Sequence, residues 1–268
     1  MEEYPIGEIM TSAENQGMLW GAEAEDWAKL FEPFNEPIWI AMLDSTGVAQ
    51  ETRFLDLGCG GGGASVLASE RGAKVTGLDA AKPLIEFASK RVSSGDFRVG
   101  DLENLPYIDN RFDVAFASLS IMFAKDALSV VREMRRVTIP DGHVTISIWG
   151  NPEECEYRFI LKAVADTLPS PPTGKGPFFL SKTGALEEII EAAELEVVDS
   201  GDVDAPFQFS DSEIMWRMVR SAGPVQAALR VISEPELKAS VIRVAKRFQN
   251  ANGEILLNNR FRYVTAIV

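Results

Sequence analysis

Several residue types are scarce in this sequence. Of 268 residues, one is histidine and two are cysteine, so neither a histidine-rich metal cluster nor a disulfide framework is available. Bases are few: 26 Lys and Arg face 40 Asp and Glu, a formal charge of −14. Broad binding to nucleic acid or anionic membrane rewards a basic face, and this balance speaks against both. Long apolar runs are missing too. The longest nearly apolar stretch, Val114 to Ala124, spans 11 residues with two serines, too short to cross a bilayer. The opening residues MEEYPIGEIM are acidic and lack the basic-then-apolar layout of a secretion signal. There is no Walker loop, H-E-x-x-H helix, nucleophile elbow, internal repeat or low-complexity tract. These absences predict a cytoplasmic globular protein without a nucleic-acid or membrane partner.

What is present is ordinary in amount and uneven in placement. Hydrophobic residues at 46% and charged residues at 25% are globular values, and the length suits one large domain. Residues 54–150 carry 12 acids and 11 bases, whereas 1–53 and 151–213 are net −9 and −10 and 214–268 is net +6. The balanced block reads as a core, and the biased flanks as elements laid over it.

Within that block, strand-like and helix-like segments alternate. Thr52–Leu57, Lys74–Leu78, Phe97–Val99, Phe112–Leu119 and His143–Trp149 read as strands. Ala64–Arg71, Lys82–Val92 and the amphipathic Ala127–Val137 read as helices between them. Such alternation implies right-handed crossovers and a parallel sheet covered on both faces. Ahead of it, Gly21–Glu32 and Pro37–Thr46 suggest two helices. Behind it come a helix over Asn151–Thr167, a Pro/Gly-rich loop at 170–177, a helix over Thr183–Glu194 and a strand over Leu195–Ser200. A mostly helical stretch follows from Asp211 to Gln249, broken at Gly223-Pro224 and Pro235, and Arg260–Val268 closes as a β-branched strand.

The sharpest feature is Phe54-Leu-Asp-Leu-Gly-Cys-Gly-Gly-Gly-Gly63, set between strand and helix. Gly58, Gly60 and Gly63 match G-x-G-x-x-G, and Asp79 ends the next strand, where an acid can hold ribose hydroxyls. The glycines permit a tight turn, and the following helix offers amide donors to an anionic group. A dinucleotide and a sulfonium nucleoside both suit such a loop. Asp56 separates them, because a carboxylate there repels a pyrophosphate and attracts an ammonium.

Asp56-Leu-Gly-Cys-Gly-Gly-Gly resembles the D-x-G-x-G-x-G loop of class I S-adenosylmethionine-dependent methyltransferases, in the small-molecule branch. Val75-Thr-Gly-Leu-Asp79, Gly100-Asp-Leu102 with Leu105-Pro106, Arg111 to Ser118 and Arg136-Val-Thr-Ile-Pro-Asp-Gly-His143 resemble later family segments in order. His143 and Ile139 depart from the pattern of that last turn. The resemblance implies a Rossmann-like seven-stranded α/β sheet of order 3-2-1-4-5-7-6, with strand 7 antiparallel and helices on both faces. It implies a single domain, with residues 20–150 as cofactor core and 1–50, 151–180 and 207–255 as a helical lid. It also implies that Trp27, Asp56, Gly58, Cys59, Gly60, Asp79, Ala80, Asp101, Leu102 and Ser118 hold S-adenosylmethionine and its product S-adenosylhomocysteine, without a metal.

The expected reaction is methyl transfer to a small organic molecule. His143 lies in the turn expected at the far end of the sheet from the cofactor, so no histidine base is expected. A carboxylate, a tyrosine or no base at all stay open. An acceptor pocket is expected from Trp20, Trp27, Met122, Phe123, Trp149, Tyr157, Phe178, Phe179, Met215 and Trp216. Arg217 and Arg220 suit either a substrate carboxylate or salt bridges to the acidic lid. Two other readings stand beside this one: an NAD-dependent oxidoreductase, and a protein of this fold that binds the cofactor without transferring its methyl.

Overall fold

Polypeptide order in the computed structural model follows from where the chain buries its strands. The structure describes residues 11–170 and 175–268. The acidic opening segment and residues 171–174 of the Pro/Gly-rich loop lie outside the described residues. Seven strands form one sheet: β1 Arg53–Leu57, β2 Lys74–Asp79, β3 Asp96–Val99, β4 Phe112–Ser118, β5 Thr138–Trp149, β6 Glu196–Asp204 and, last in the chain, β9 Arg260–Ile267. A separate ribbon pairs β7 Phe207–Phe209 with β8 Ile255–Leu257. The sheet order is β3-β2-β1-β4-β5-β9-β6, with β9 antiparallel to both neighbours. This is the expected order and the expected reversed strand.

The helices are α1 Ser12–Gly21, α2 Ala24–Asp26, α3 Glu36–Ser45, α4 Gly63–Glu70, α5 Lys82–Arg91, α6 Ala127–Val137, α7 Tyr157–Ala165, α8 Ala185–Ala192, α9 Ser212–Ser221, α10 Gly223–Leu229 and α11 Glu234–Ala245. Strands β1, β2 and β4 are covered on both faces, which is why they read as continuous apolar runs. Leu55 and Leu57 are fully buried, each contributing about 1.5–3 kcal/mol relative to exposure. Helix α6 buries Val130, Val131, Met134 and Val137 on one face and is N-capped by Asp126, which accepts from the Leu128 amide at 3.1 Å. Pro224 and Pro235 fall in the first turns of α10 and α11, where a missing N–H costs nothing.

Two sequence expectations change. The first helix runs over Ser12–Gly21, started by a Thr11/Glu14 capping box, and not over Gly21–Glu32. Residues 24–35 instead pass through α2, a π turn at Trp27–Phe31 and a 3-10 turn at Glu32–Asn35. Pro33 sits within the 3-10 turn. The stretch from Asp211 to Gln249 is mostly helical as expected, but the ends of the expected 207–255 helical lid are strands, β7 and β8, which pair. Phe207, Phe209, Ile255 and Leu257 point into the core from that ribbon. Each strand has three residues, too short to show a period in sequence. No helix of the described residues is long and apolar enough to cross a membrane.

Candidate functional site

Register places three polar side chains at the carboxyl ends of neighbouring parallel strands: Asp56 on β1, Asp79 on β2 and Ser118 on β4. Open α/β sheets gather ligands at that edge. A pocket opens there, lined from β1, β2 and β4 and from the N-terminal turns. Trp27, Asp56, Gly58, Cys59, Gly60, Asp79, Ala80, Asp101, Leu102 and Ser118 all line it. The structure therefore brings the ten expected residues to one cavity. His143 pairs with Val114 near the start of β4, at the opposite end of the sheet.

The glycine loop is held in place from both sides. The amides of Gly58 and Cys59 donate to the Leu78 carbonyl at 2.7 and 3.1 Å, and Gly60 donates to the Asp79 carboxylate at 2.9 Å. Gly58 has φ +69°, and a Cβ there would lie 2.3 Å from Ser120 Cβ, so this position requires glycine. Asp79 also accepts from the Ala81 amide at 2.8 Å. Burial raises its carboxyl above the ordinary value, and those amides pull it back. Asp56 is 2% exposed and accepts from Ser65 Oγ at 2.7 Å. Burial first, then the nearby carboxylates of Glu32 and Asp79, push its carboxyl up to about 7 despite the Ser65 hydrogen bond.

Glu32 is the residue that sequence reasoning missed. It leaves the 3-10 turn, is 3% exposed and lines the pocket against the loop. Arg91 of α5 pairs with it, and also donates to the carbonyls of Gly61 at 2.9 Å and Ala28 at 3.0 Å. Burial raises the Glu32 carboxyl, opposed by Arg91 and the Gly61 and Gly63 amides. The loop's amide donors are thus taken by the chain's own carboxylates, Glu32 and Asp79, with Ser65 and its amide serving Asp56. This corrects the expectation of donors free for an anionic group. The wall presented to a ligand is anionic.

Beside it, two buried polar atoms have no protein partner: Trp27 Nε1 and Asn35 Oδ1. Both residues line the pocket. Such atoms cost free energy unless a ligand or water meets them. Trp20 stands edge-on to Trp27 and to Phe123, with ring centroids 5.1 and 4.9 Å apart. On the β4 side, Trp39 Nε1 donates to Ser118 Oγ at 3.1 Å, which shares a 2.9 Å hydrogen bond with Ser147 Oγ. Leu119, next in the chain, is left-handed at φ +51°, a strained geometry for a leucine that redirects the chain along the pocket.

The expected aromatic pocket is only partly present. Trp20, Trp27 and Phe123 line the cavity. Met122, Trp149, Tyr157, Met215 and Trp216 are buried in the core, and Phe178 and Phe179 pack against it. Trp149 stacks on Tyr157 at 5.4 Å, under Phe207. Burial raises the Tyr157 hydroxyl far above its ordinary value and that of Tyr107 to about 12, and neither lines the pocket. Arg217 pairs with Asp26 at 2.6 Å, and Arg220 with Glu23 at 2.9 Å. These are the salt bridges, not a carboxylate clamp. Helices α9 and α10 form a layer behind the N-terminal turns, with Gly223 against the Trp20 ring. Cys59 and Cys155 are buried and unpaired, and no group of three or more His, Cys, Asp or Glu among the described residues is set to hold a metal.

The stretch that carries the glycine loop and the strand-end acids is similar to a methyltransferase domain. Residues 55–146 match the family described as a methyltransferase domain. A malonyl-[acyl-carrier protein] O-methyltransferase of Serratia marcescens is 36% identical over 95 residues, 35% of this chain and 37% of that protein. The curated relatives first in similarity are spanned over only 37–54% of their own lengths. Among solved structures, the [4+2]-cyclase SpnF superposes with a TM-score of 0.61 at 20% identity, covering 96% of each chain. The YcgJ protein of Bacillus subtilis gives 0.58 at 21% identity, covering 85% of this chain and 97% of its own.

Proposed function

We propose that this protein transfers the methyl group of S-adenosylmethionine to a small organic acceptor, in the cytoplasm and without a metal. The observation that carries the reading is the anionic wall of Glu32, Asp56 and Asp79 around the glycine loop. A dinucleotide brings a pyrophosphate to such a loop and would meet these carboxylates. An amino-acid sulfonium brings an ammonium and a second positive charge, which they attract. The cytoplasmic part rests on two buried, unpaired thiols.

The residues present fit that cofactor. Asp79 ends β2 where ribose hydroxyls reach its carboxylate, and Asp101 and Leu102 line the adjoining end of the pocket. Asp56 and Glu32 suit the ammonium, and the unpartnered Trp27 Nε1 suits a carboxylate or ribose oxygen. When bound, the cofactor supplies an already activated methyl. The protein then has to orient it, exclude water and aim an acceptor in line. Trp20, Trp27 and Phe123 form the apolar cover, and the turn from Ser118 to Ser120 closes the side beneath β4. Incubation with labelled S-adenosylmethionine and a metabolite extract tests the reading, with label expected in a small product.

One structural neighbour supports a second reading. SpnF, named as a [4+2]-cyclase, has the same fold, so a pocket of this kind can serve other chemistry. Cofactor binding without any label transfer would favour that reading.

A further inference from the structure

The charge of the pocket narrows the acceptor. We propose that the acceptor is a small amine, drawn in by the acidic lining and held through an N–H donated to Asn35. The proposal rests on the methyl-transfer reading above and deepens it.

Five acids line the pocket, Glu32, Asp56, Asp79, Asp101 and Glu103, more than Arg91 and the cofactor's ammonium and sulfonium would balance, and no Lys, Arg or His lines it among the described residues. The residues outside the description, 1–10 and 171–174, contain no Lys, Arg or His at all. Nearby cations are committed elsewhere. Arg91 is bound to Glu32 behind the loop, Arg217 to Asp26, and Arg220 to Glu23. Lys82 and Lys125, next in the chain to lining segments, are not among the residues that line it. A carboxylate or phosphate acceptor would enter against like charge with nothing to pair it.

Asn35 supplies the positive part of the argument. It is 3% exposed, lines the pocket, and its carboxamide oxygen has no partner. A buried acceptor of this kind is satisfied by an N–H or O–H from a ligand. A hydroxyl nucleophile would have to use one of the lining carboxylates as its base, since no tyrosine or histidine is in the described lining. An amine needs none: its protonated form is attracted by the carboxylates, and its neutral form attacks. The nitrogen lone pair forms the N–C bond to the methyl carbon while the S–C bond breaks, its pair staying on sulfur as a neutral thioether. The surplus N–H proton leaves to water at the mouth. The rings of Trp20, Trp27 and Phe123 in the lining favour a cationic or aromatic amine.

The test uses the whole protein with methyl-labelled S-adenosylmethionine and an extract split into acidic, neutral and basic fractions. Binding of S-adenosylhomocysteine is measured by calorimetry in parallel. The expected result is at least tenfold more label in basic, alkali-stable products than in either other fraction. Label released by alkali as methanol from a methyl ester, or held in a neutral ether, overturns the amine assignment while leaving methyl transfer intact. No label in any fraction, with the homocysteine product still bound, overturns methyl transfer itself and the amine assignment with it. Asn35→Leu should cut kcat/KM for the basic fraction at least tenfold and leave S-adenosylhomocysteine affinity within threefold. An equal loss of both would assign Asn35 to the cofactor and overturn its role toward the acceptor.

Discussion

Asp56 and Asp79 end adjacent strands one pleat apart, yet the chain treats them differently. Asp79 is bound by amides from the glycine loop and from the start of α5, so it braces the loop while lining the pocket. Asp56 has one hydroxyl partner, Ser65, and two carboxylate neighbours, which leaves its charge unbalanced until a cation arrives. Replacing either by alanine should weaken S-adenosylhomocysteine binding about 10- to 100-fold, the range for losing a charge-assisted hydrogen bond. Calorimetry checks this, and near-wild-type affinity in both variants would contradict the site assignment. Gly58→Ala should abolish binding, because its left-handed φ and the 2.3 Å approach to Ser120 leave no room for a methyl. Loss of binding with a folded circular-dichroism spectrum is the expected pair of readings.

At the scale of elements, the N-terminal turns matter as much as the strands. The π turn brings Trp27 and Ala28 onto the loop, and the 3-10 turn after it brings Glu32 and Asn35. Arg91 ties both turns to the loop through three acceptors that a lysine cannot reach together. Arg91→Lys should lower S-adenosylhomocysteine affinity roughly tenfold and speed hydrogen exchange across residues 24–35. Unchanged exchange there would mean the clamp is dispensable. The strands, the glycine loop and the acids at strand ends were legible in sequence because apolar runs, glycines and a fixed 21-residue interval mark them locally. Glu32 and Asn35 were not, since the reading of FEPFNEP as helix ends says nothing about which loop they meet. The acceptor aromatics were misplaced for a related reason. Trp149 and Tyr157 differ from Trp20 and Trp27 only in which neighbours cover them, and composition does not show this.

Across the whole molecule, the surplus of acid has both a passive and an active location. Edge strand β6 carries Glu196, Asp199, Asp202 and Asp204, charges that discourage pairing with another chain. The site carries the rest of the consequence. Glu32, Asp56 and Asp79 all have carboxyls raised by burial in the folded protein. A raised carboxyl keeps its proton in the native state after the unfolded chain has lost it. These three groups therefore cost the native state least below about pH 4, and that cost grows as pH rises through the Asp56 value of about 7. The ligand-free protein should melt at a higher temperature near pH 5.5 than near pH 8, and Asp56→Asn should shrink that difference. An undiminished difference in the variant would place the titrating group elsewhere. Cofactor binding has the opposite slope, because a cation prefers the ionised wall, so affinity for S-adenosylmethionine should rise from pH 6 to pH 8.

The central claim, that this glycine loop is built for a cationic amino-acid nucleoside, is tested most directly by titrating the wild-type protein in a calorimeter with S-adenosylhomocysteine and, separately, with NADH. One-to-one binding of S-adenosylhomocysteine with no heat from NADH is the result expected. Binding of NADH with none of S-adenosylhomocysteine would contradict it.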